Sequence, residues 1–171
     1  MTEFAHERHK PPTKLVRERE LVVACAPLRT NVNLSRIVRA AGCCGVRRII
    51  CCGHAKVIGK IARDSLDSQN PAGLSLEVHR TLAPALVRLR EEGFQLVGLE
   101  QTTGSQCLYT FPFPRKTALV VGNERQGLED DVLRLVHQVV EIPVYGLPYA
   151  HNVATATAMA LYEYCRQFPA G

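Results

Sequence analysis

Short apolar runs rich in valine, isoleucine and leucine alternate along the chain with stretches that have helical periodicity. Such alternation is typical of βα units, in which helices connect the strands of a mainly parallel sheet. The runs predict six strands: Leu21–Ala26, Arg48–Cys52, Leu76–His79, Gln95–Leu99, Thr117–Val121 and Val139–Ile142. We therefore predict an α/β fold in which helices flank a mainly parallel sheet.

Helical spacing is clearest between the first two predicted strands. Leu34, Ile37, Val38 and Ala41 recur at the spacing of one helix face, and Gly45 follows as a stop signal. Further helices are predicted over Leu82–Glu92, Asp130–Leu135 and Asn152–Phe168. Residues 1–20 are polar and lack sustained periodicity, so we divide the chain into an N-terminal tail over 1–20 and a single domain over 21–171.

The composition agrees with one compact domain. The chain has 171 residues and a mass of 18.9 kDa, and 46% of its residues are hydrophobic. A chain of this size and apolar content buries a hydrophobic core, which excludes bulk disorder. A membrane span needs about 18 consecutive apolar residues, and the sequence has no such run.

The net charge of +5 is unevenly distributed. The 43 residues from Leu21 to Arg63 contain eight lysines and arginines and no carboxylate. Such a stretch favours a polyanionic partner such as nucleic acid. The alternative is that these cations are solvated or pair with carboxylates elsewhere in the chain, and charge alone leaves it open.

The seven cysteines favour a reducing compartment. The first residues have no apolar core of the kind a leader peptide needs, so we expect reduced thiols and a cytoplasmic protein. No Cys-x-x-Cys pair occurs. The adjacent pairs Cys43-Cys44 and Cys51-Cys52 fall at a predicted helix end and in a predicted strand, where neighbouring side chains diverge. We therefore expect no metal site.

Two glycine-bearing loops follow late predicted strands. The loop from Gly122 to Gly127 has the wrong glycine spacing for a P-loop or a dinucleotide fingerprint, and Glu124 within it would repel a phosphate. The second loop, Pro143 to His151, precedes the last predicted helix. The carboxyl ends of parallel strands share one edge of a sheet, so these loops predict a pocket there.

Three segments of the chain resemble the motifs of one protein family. Asn33-Leu34-Ser35 with Arg39 and Gly45-Val46 resembles the first motif of the SpoU/TrmH branch of the SPOUT methyltransferases, and residues 118–127, ALVVGNERQG, resemble the second. The third is matched by Ile142-Pro143, Gly146, Asn152-Val153-Ala154 and residues 160–163. The three occur in order over about residues 21–167, and joint motifs are more specific than any single one.

The resemblance implies a fold and an activity that the spacing alone does not show. It implies a C-terminal deep trefoil knot, S-adenosylmethionine as methyl donor with S-adenosylhomocysteine as product, and an RNA ribose 2'-hydroxyl as acceptor. It further implies a homodimer paired through the knot region, and the wording of the motifs favours tRNA over rRNA. Two alternatives stay open: a catalytically silent knotted RNA-binding module, and a knotted enzyme that methylates a base of RNA.

The family's functional positions transfer onto this sequence residue by residue. The resemblance places the methyl donor at Leu99, Glu100, Gly122, Asn123, Gly127, Ile142, Leu147, His151 and Asn152. The catalytic residues that it implies are Arg39, Asn33, Glu124 and Asn152. The RNA-binding residues that we expect are Arg29, Arg36, Arg39 and Arg47.

The resemblance assigns the chemistry chiefly to Arg39. A guanidinium is always protonated in proteins, so we prefer a role in which Arg39 binds the neighbouring phosphate and stabilises developing alkoxide. The final acceptor of the proton is left open. The purely structural alternatives are a surface arginine for Arg39, a loop carboxylate for Glu124 and helix N-caps for Asn33 and Asn152.

The sequence departs from the family pattern in three respects. Ala150 and His151 stand where a Ser-Leu pair is usual, so His151 either replaces the missing hydroxyl or lines the adenine pocket. Arg36 replaces a small residue, and either adds a phosphate contact or is simply exposed. The chain has no further predicted RNA-binding domain, so we expect the catalytic domain and the short basic tail to select the substrate.

Overall fold

The computed structural model describes residues 4–7, 10–53, 58, 60 and 73–171. Within these residues, all strands belong to one sheet and pair in parallel. They are β1 (Leu21–Cys25), β2 (Arg48–Cys52), β3 (Ser75–His79), β4 (Gln95–Leu99), β5 (Gln106–Cys107), β6 (Thr117–Val121) and β7 (Gln138–Glu141). Their order across the sheet is β3-β2-β1-β6-β4-β7-β5.

Helices cover both faces of the sheet. They are α1 (Asn31–Cys43), α2 (Ala83–Glu91), α3 (Asp130–Leu133) and α4 (Val153–Gln167). Successive side chains of a strand point to opposite faces, so Val22 and Val23 of β1 enter different cores. Val23 packs in a core with α1 and α4, whereas Val22 packs in a core with α2 and α3. The central strands β1 and β6 are buried along their full length.

The periodicity located nearly all of these elements. Every predicted strand and helix is confirmed, most of them to within a residue or two at each end. The two-residue strand β5 was missed because an edge pairing this short has no apolar run. The structure shows α3 ending at Leu133, two residues before the predicted end. Lys56 and Arg63 of the carboxylate-free stretch lie outside the described residues.

The C-terminal end of α4 is held by the segment between β5 and β6. The hydroxyl of Tyr164 donates to the carbonyl of Arg115 at 2.5 Å. The amide of Gln167 accepts from the backbone N–H of Phe113 at 2.9 Å and donates to the carbonyl of Phe111 at 2.8 Å. Tyr164 also forms edge contacts with the ring of Phe113. These contacts fix α4 against residues 111–115.

Part of the predicted tail runs beside the last residues of the chain. The N–H of Val16 donates to the carbonyl of Ala170 at 2.9 Å, and the guanidinium of Arg19 donates to the carbonyl of Phe168 at 2.5 Å. Leu15 lies against Gly45, where a Cβ would approach its side chain to 2.9 Å. In the described part of the chain, no helix is long and apolar enough to span a membrane.

The burial of Tyr164 leads to a stability prediction. Replacing Tyr164 with Phe removes the hydroxyl and leaves the part-buried carbonyl of Arg115 without that donor, which should lower the free energy of unfolding by about 1–2 kcal/mol. Tyr162 on the same helix is exposed, so Tyr162→Phe should change it by less than about 0.5 kcal/mol. Urea denaturation of both variants measures this, and equal effects would contradict the anchoring role.

Candidate functional site

The loops that follow β1, β4, β6 and β7 meet at the carboxyl edge of the sheet. Because all strands run in parallel, every loop that leaves a carboxyl end lies on this side. The helix α1 begins here after β1, and α4 begins here after β7. The first residues of both helices therefore face the loop that follows β6.

Glu124, in the loop after β6, accepts hydrogen bonds from the start of α1. Its Oε2 accepts from the backbone N–H of Arg29 at 2.8 Å, and its Oε1 accepts from that of Thr30 at 3.3 Å. Oε1 also accepts from the side-chain amide of Asn33 at 2.8 Å. The carboxylate thus joins the loop after β6 to the first turn of α1.

Asn33 extends this connection to α4. Its carbonyl oxygen accepts from the amide of Asn152 at 3.2 Å. Asn152 is the N-cap of α4, where its side-chain oxygen accepts from the backbone N–H groups of Ala154 and Thr155. Asn33 therefore bridges Glu124 and Asn152, and the structure brings three of the four predicted catalytic residues together.

Asn33 itself is not a helix cap. The N-cap of α1 is Thr30, whose hydroxyl accepts from the N–H of Asn33 at 3.2 Å, whereas Asn33 is buried inside the first turn. The N-cap alternative for Asn33 is therefore wrong, and the one for Asn152 is confirmed. The hydroxyl of Thr30 binds the backbone N–H of Asn33, and the side chain of Asn33 bridges the loop after β6 and the start of α4.

The hydrogen bonds also set the charge state of Glu124. Partial burial raises the pKa of its carboxyl group, but donation from the backbone of Arg29, from the amide of Asn33 and from the backbone of Thr30 outweighs this effect. The net result is a pKa below the ordinary value. Glu124 is therefore an anionic acceptor at neutral pH and a poor general base.

Close packing around two glycines shapes the loop after β6. Asn123 and Gly127 exchange backbone hydrogen bonds of 2.9 Å in both directions. A Cβ on Gly122 would lie 2.3 Å from the carbonyl carbon of Gly127, so only glycine fits at this position. Gly127 has a φ of +66°, and the carboxylate of Glu100 occupies the space where its Cβ would be. Glu100 also accepts from the N–H of Leu128 at 3.0 Å, which joins the β4 loop to this turn.

A cavity of about 100 Å³ lies between the loops after β4 and β7. It is lined by Leu99, Glu100, Gln101, Glu141, Ile142, Val144, Ala150, His151 and Ala156. Aliphatic side chains and backbone form much of its wall, which suits a flat, weakly polar ring. Its volume is smaller than that of a cleft that encloses a whole ligand, so it would take only part of one.

Four of the predicted donor-binding residues line this cavity: Leu99, Glu100, Ile142 and His151. Gly122, Asn123 and Gly127 form the adjacent turn, and Asn152 follows His151 directly. Leu147 is not among the lining residues and is 75% exposed. Sequence reasoning missed Gln101, Glu141, Val144, Ala150 and Ala156. Three of them, Gln101, Glu141 and Ala150, are direct chain neighbours of predicted positions, whereas Ala156 lies in the first turn of α4.

The predicted RNA-binding arginines occupy two ends of the molecule. Arg29, Arg36 and Arg39 are exposed at the start and along the surface of α1. Within the described residues, the guanidinium of Arg39 has no hydrogen bond or ion pair. Arg47 precedes β2 at the opposite edge of the sheet, where it pairs with Glu18 at 2.5 Å. Arg47 therefore lies apart from the other three.

The thiols near this edge are buried and protonated at neutral pH. Burial raises the pKa of Cys25 well above the ordinary value, and it raises that of Cys51 to about 12 and that of Cys52 to about 11. Thiolates are the ligands that metals select, and these groups stay protonated at neutral pH. Within the part of the chain that the structure describes, no cluster of side chains suited to hold a metal ion is found.

Comparison with known proteins decides the family. The model of the SpoU rRNA Methylase family matches residues 20–162, which include Asn33, Arg39, Glu124 and Asn152. The chain belongs to this family. The family resemblance of the three motifs is thereby confirmed, and the parallel α/β sheet matches the knotted SpoU methyltransferase structures.

Relatives within the SpoU family are enzymes that modify RNA. The tRNA (guanosine(18)-2'-O)-methyltransferase of Escherichia coli (strain K12) is 28% identical over 153 residues, which are 88% of this chain and 65% of that protein. The Aquifex aeolicus TrmH/SpoU tRNA modifying enzyme is 28% identical with a TM-score of 0.75, over 90% of this chain and 77% of that one.

A third relative was solved with a ligand. The SpoU methyltransferase AviRb from Streptomyces viridochromogenes, in complex with the cofactor AdoMet, is 27% identical with a TM-score of 0.72. The match covers 91% of this chain and 63% of that one. This SpoU chain therefore spans less than two thirds of the length of both the E. coli and the S. viridochromogenes relatives.

The depressed pKa of Glu124 predicts how the site responds to pH. Glu124→Gln replaces an acceptor oxygen with a donor that faces N–H groups, and should lower the free energy of unfolding by about 1–3 kcal/mol at pH 7. A carboxylate whose pKa is lower in the folded state stabilises the fold above its unfolded value, and this contribution is lost as pH falls through the folded-state value. The stability difference between wild type and variant should therefore shrink below about pH 4.5.

Urea denaturation between pH 3 and pH 7 measures this difference. The matched control is Glu129→Gln, because Glu129 is exposed near the end of the same loop and its side chain does not cap α3. A difference for Glu124→Gln that is the same at every pH, or one equal to that of Glu129→Gln, would contradict the assigned role of the carboxylate.

Proposed function

We propose that the protein is an RNA methyltransferase that transfers a methyl group from S-adenosylmethionine to a ribose 2'-hydroxyl. The observation that carries this proposal is the bridge through Asn33, which fixes the helix bearing Arg39 beside the loops of the cavity. The helix that bears Arg39 thus begins at the same edge of the sheet as the cavity proposed for the methyl donor. The activities named for the relatives in the SpoU family support the same chemistry.

The cavity fits the adenine end of the methyl donor. The aliphatic part of its wall, including Leu99 and Ile142, suits the faces of a purine. His151 lines the same cavity, which supports a role toward the donor rather than toward RNA phosphate. When bound there, S-adenosylmethionine supplies a methyl group on a positively charged sulfur, so departure of the thioether needs no acid.

We assign Arg39 to the acceptor. Its guanidinium is exposed and has no partner within the described residues, so it is available to a phosphate of the RNA. Two parallel N–H groups bind a phosphate bidentately and place the adjoining ribose, and the positive charge stabilises an alkoxide as the hydroxyl loses its proton. Holding the oxygen in line with the methyl group supplies much of the rate increase.

Glu124 and the two asparagines position the site rather than exchange protons. Glu124 accepts three hydrogen bonds from the start of α1 and its pKa is depressed, so it does not take the proton of the hydroxyl. Its contribution is to orient Asn33, which in turn orients Asn152 beside the cavity. The proton then leaves to solvent or to a group on the RNA.

We favour tRNA over rRNA as the substrate, and a homodimer paired through the knot region as the assembly. The relatives from E. coli and A. aeolicus act on tRNA, whereas the family description refers to rRNA. The exposed arginines of α1 give the polyanionic partner a contact surface on the acceptor side. Light scattering of the purified protein distinguishes a dimer from a monomer.

The function is tested by labelled methyl transfer followed by analysis of the product. Purified protein is incubated with labelled S-adenosylmethionine and, separately, with unmodified bulk tRNA or rRNA, and the RNA is digested to nucleosides. Label on ribose 2'-O-methyl nucleosides is the expected result. Label on a base would favour the base-methylating alternative, and calorimetry that detects no donor binding would favour a silent RNA-binding module.

Arg39→Ala should abolish methyl transfer and leave the affinity for S-adenosylmethionine within a few-fold of wild type. Arg39→Lys should also have little activity, because an ammonium group lacks the planar N–H donors with which a guanidinium binds a phosphate bidentately. Arg90→Ala is the matched control, since Arg90 is an exposed arginine of α2 on the opposite face of the sheet. Steady-state transfer and calorimetry measure these effects. Loss of donor binding in Arg39→Ala would show that Arg39 does not act on the RNA side.

A further inference from the structure

The loop between β7 and α4 presents a group of exposed apolar side chains. Tyr145 is 93% exposed, Tyr149 is 79% exposed and Leu147 between them is 75% exposed. Within the described residues, neither tyrosine has a side-chain hydrogen bond or a ring contact. Large aromatic rings left in water at two positions of one short loop suit a partner with flat apolar faces.

These rings stand beside the cavity proposed for the methyl donor. Val144 and Ala150, the chain neighbours of Tyr145 and Tyr149, line that cavity, whereas the tyrosines do not. The amide of Gln101, another lining residue, donates to the carbonyl of Tyr149 at 3.4 Å. The loop backbone is thus tied to the cavity wall, and the two rings project away from it.

The charge of the loop indicates what it recognises. Residues 142–152 contain no Lys, Arg, Asp or Glu, so this loop offers no cation to a phosphate. The exposed arginines of α1 supply cations nearby, because Asn152 at the end of the loop bonds to Asn33 of α1. Cations that could bind phosphate therefore lie on α1, and aromatic rings that could stack on a base lie on the neighbouring loop between β7 and α4.

We propose that Tyr145 and Tyr149 stack on an unpaired base of the RNA and so position the acceptor nucleotide beside the donor cavity. This inference rests on the proposed function and adds a recognition element to it. Aromatic rings stack on bases of unpaired RNA, and each such contact contributes a measurable part of the affinity. The tyrosines act as positioning residues, since the chemistry stays with the groups around Arg39.

The test compares base-dependent with charge-dependent binding. The full-length chain and its Tyr145→Ala/Tyr149→Ala variant are titrated with a decamer of adenosine nucleotides and with a ribose-phosphate decamer that lacks bases. Removing both rings should weaken binding to the adenosine decamer about fivefold or more and leave binding to the base-free decamer unchanged. The matched control is Tyr145→Phe/Tyr149→Phe, which keeps both rings and should bind within about twofold of wild type.

Three further measurements test the stacking proposal separately from the proposed function. Calorimetry with S-adenosylmethionine and light scattering should give the same results for wild type and the alanine variant, whereas KM for bulk tRNA should rise. Equal weakening toward both decamers, loss of donor binding or a changed oligomeric state would overturn stacking. If wild type discriminates the decamers but transfers no methyl group to RNA, the proposed function fails and the stacking proposal stands.

Discussion

The side chain of Asn33 holds the two halves of the site together. It donates to Glu124 at 2.8 Å and accepts from Asn152 at 3.2 Å, so three distant segments of the chain meet at one buried amide. A buried polar group left without partners is costly, and this amide satisfies both its donor and its acceptor at functional positions. Together with the packing of Ile37 and Val38 in the core, this interaction orients α1 and with it Arg39.

Charge and shape divide the site into a side proposed for RNA and a side proposed for the methyl donor. The exposed arginines of α1 have no carboxylate in their own stretch of sequence, whereas the cavity wall carries Glu100 and Glu141. Glu100 is engaged by the N–H of Leu128 and by the turn around Gly127, so it serves the shape of the donor loops. The exposed cations and the partly aliphatic cavity therefore suit different chemical classes of ligand, and the side chain of Asn33 connects the elements that carry them.

The sequence predicted the architecture and three residues that the structure brings together, Asn33, Glu124 and Asn152, but it did not predict how these side chains interact. Apolar periodicity located the long elements because each buries one or two faces, but β5 is an edge pairing of two residues and leaves no such pattern. The family motifs placed Asn33, Glu124 and Asn152 at the site, whereas the spacing alone equally allowed Asn33 to be a helix cap. The bridge itself joins residues 91 and 119 positions apart in the chain, and this proximity arises only in the folded protein. The separation of Arg47 from the other arginines likewise follows from sheet topology rather than from its neighbours in the chain.

A double-mutant cycle for methyl transfer tests the central role of Asn33 most directly. Asn33→Ala, Glu124→Gln and the double variant are compared with wild type by kcat/KM with the RNA that accepts the label. If the two residues act as one unit, the double variant should lose no more activity than the more damaging single variant, because the first change already removes the shared interaction. Losses that multiply in the double variant would show that Asn33 and Glu124 act independently, and would contradict the bridge as the feature on which the site depends.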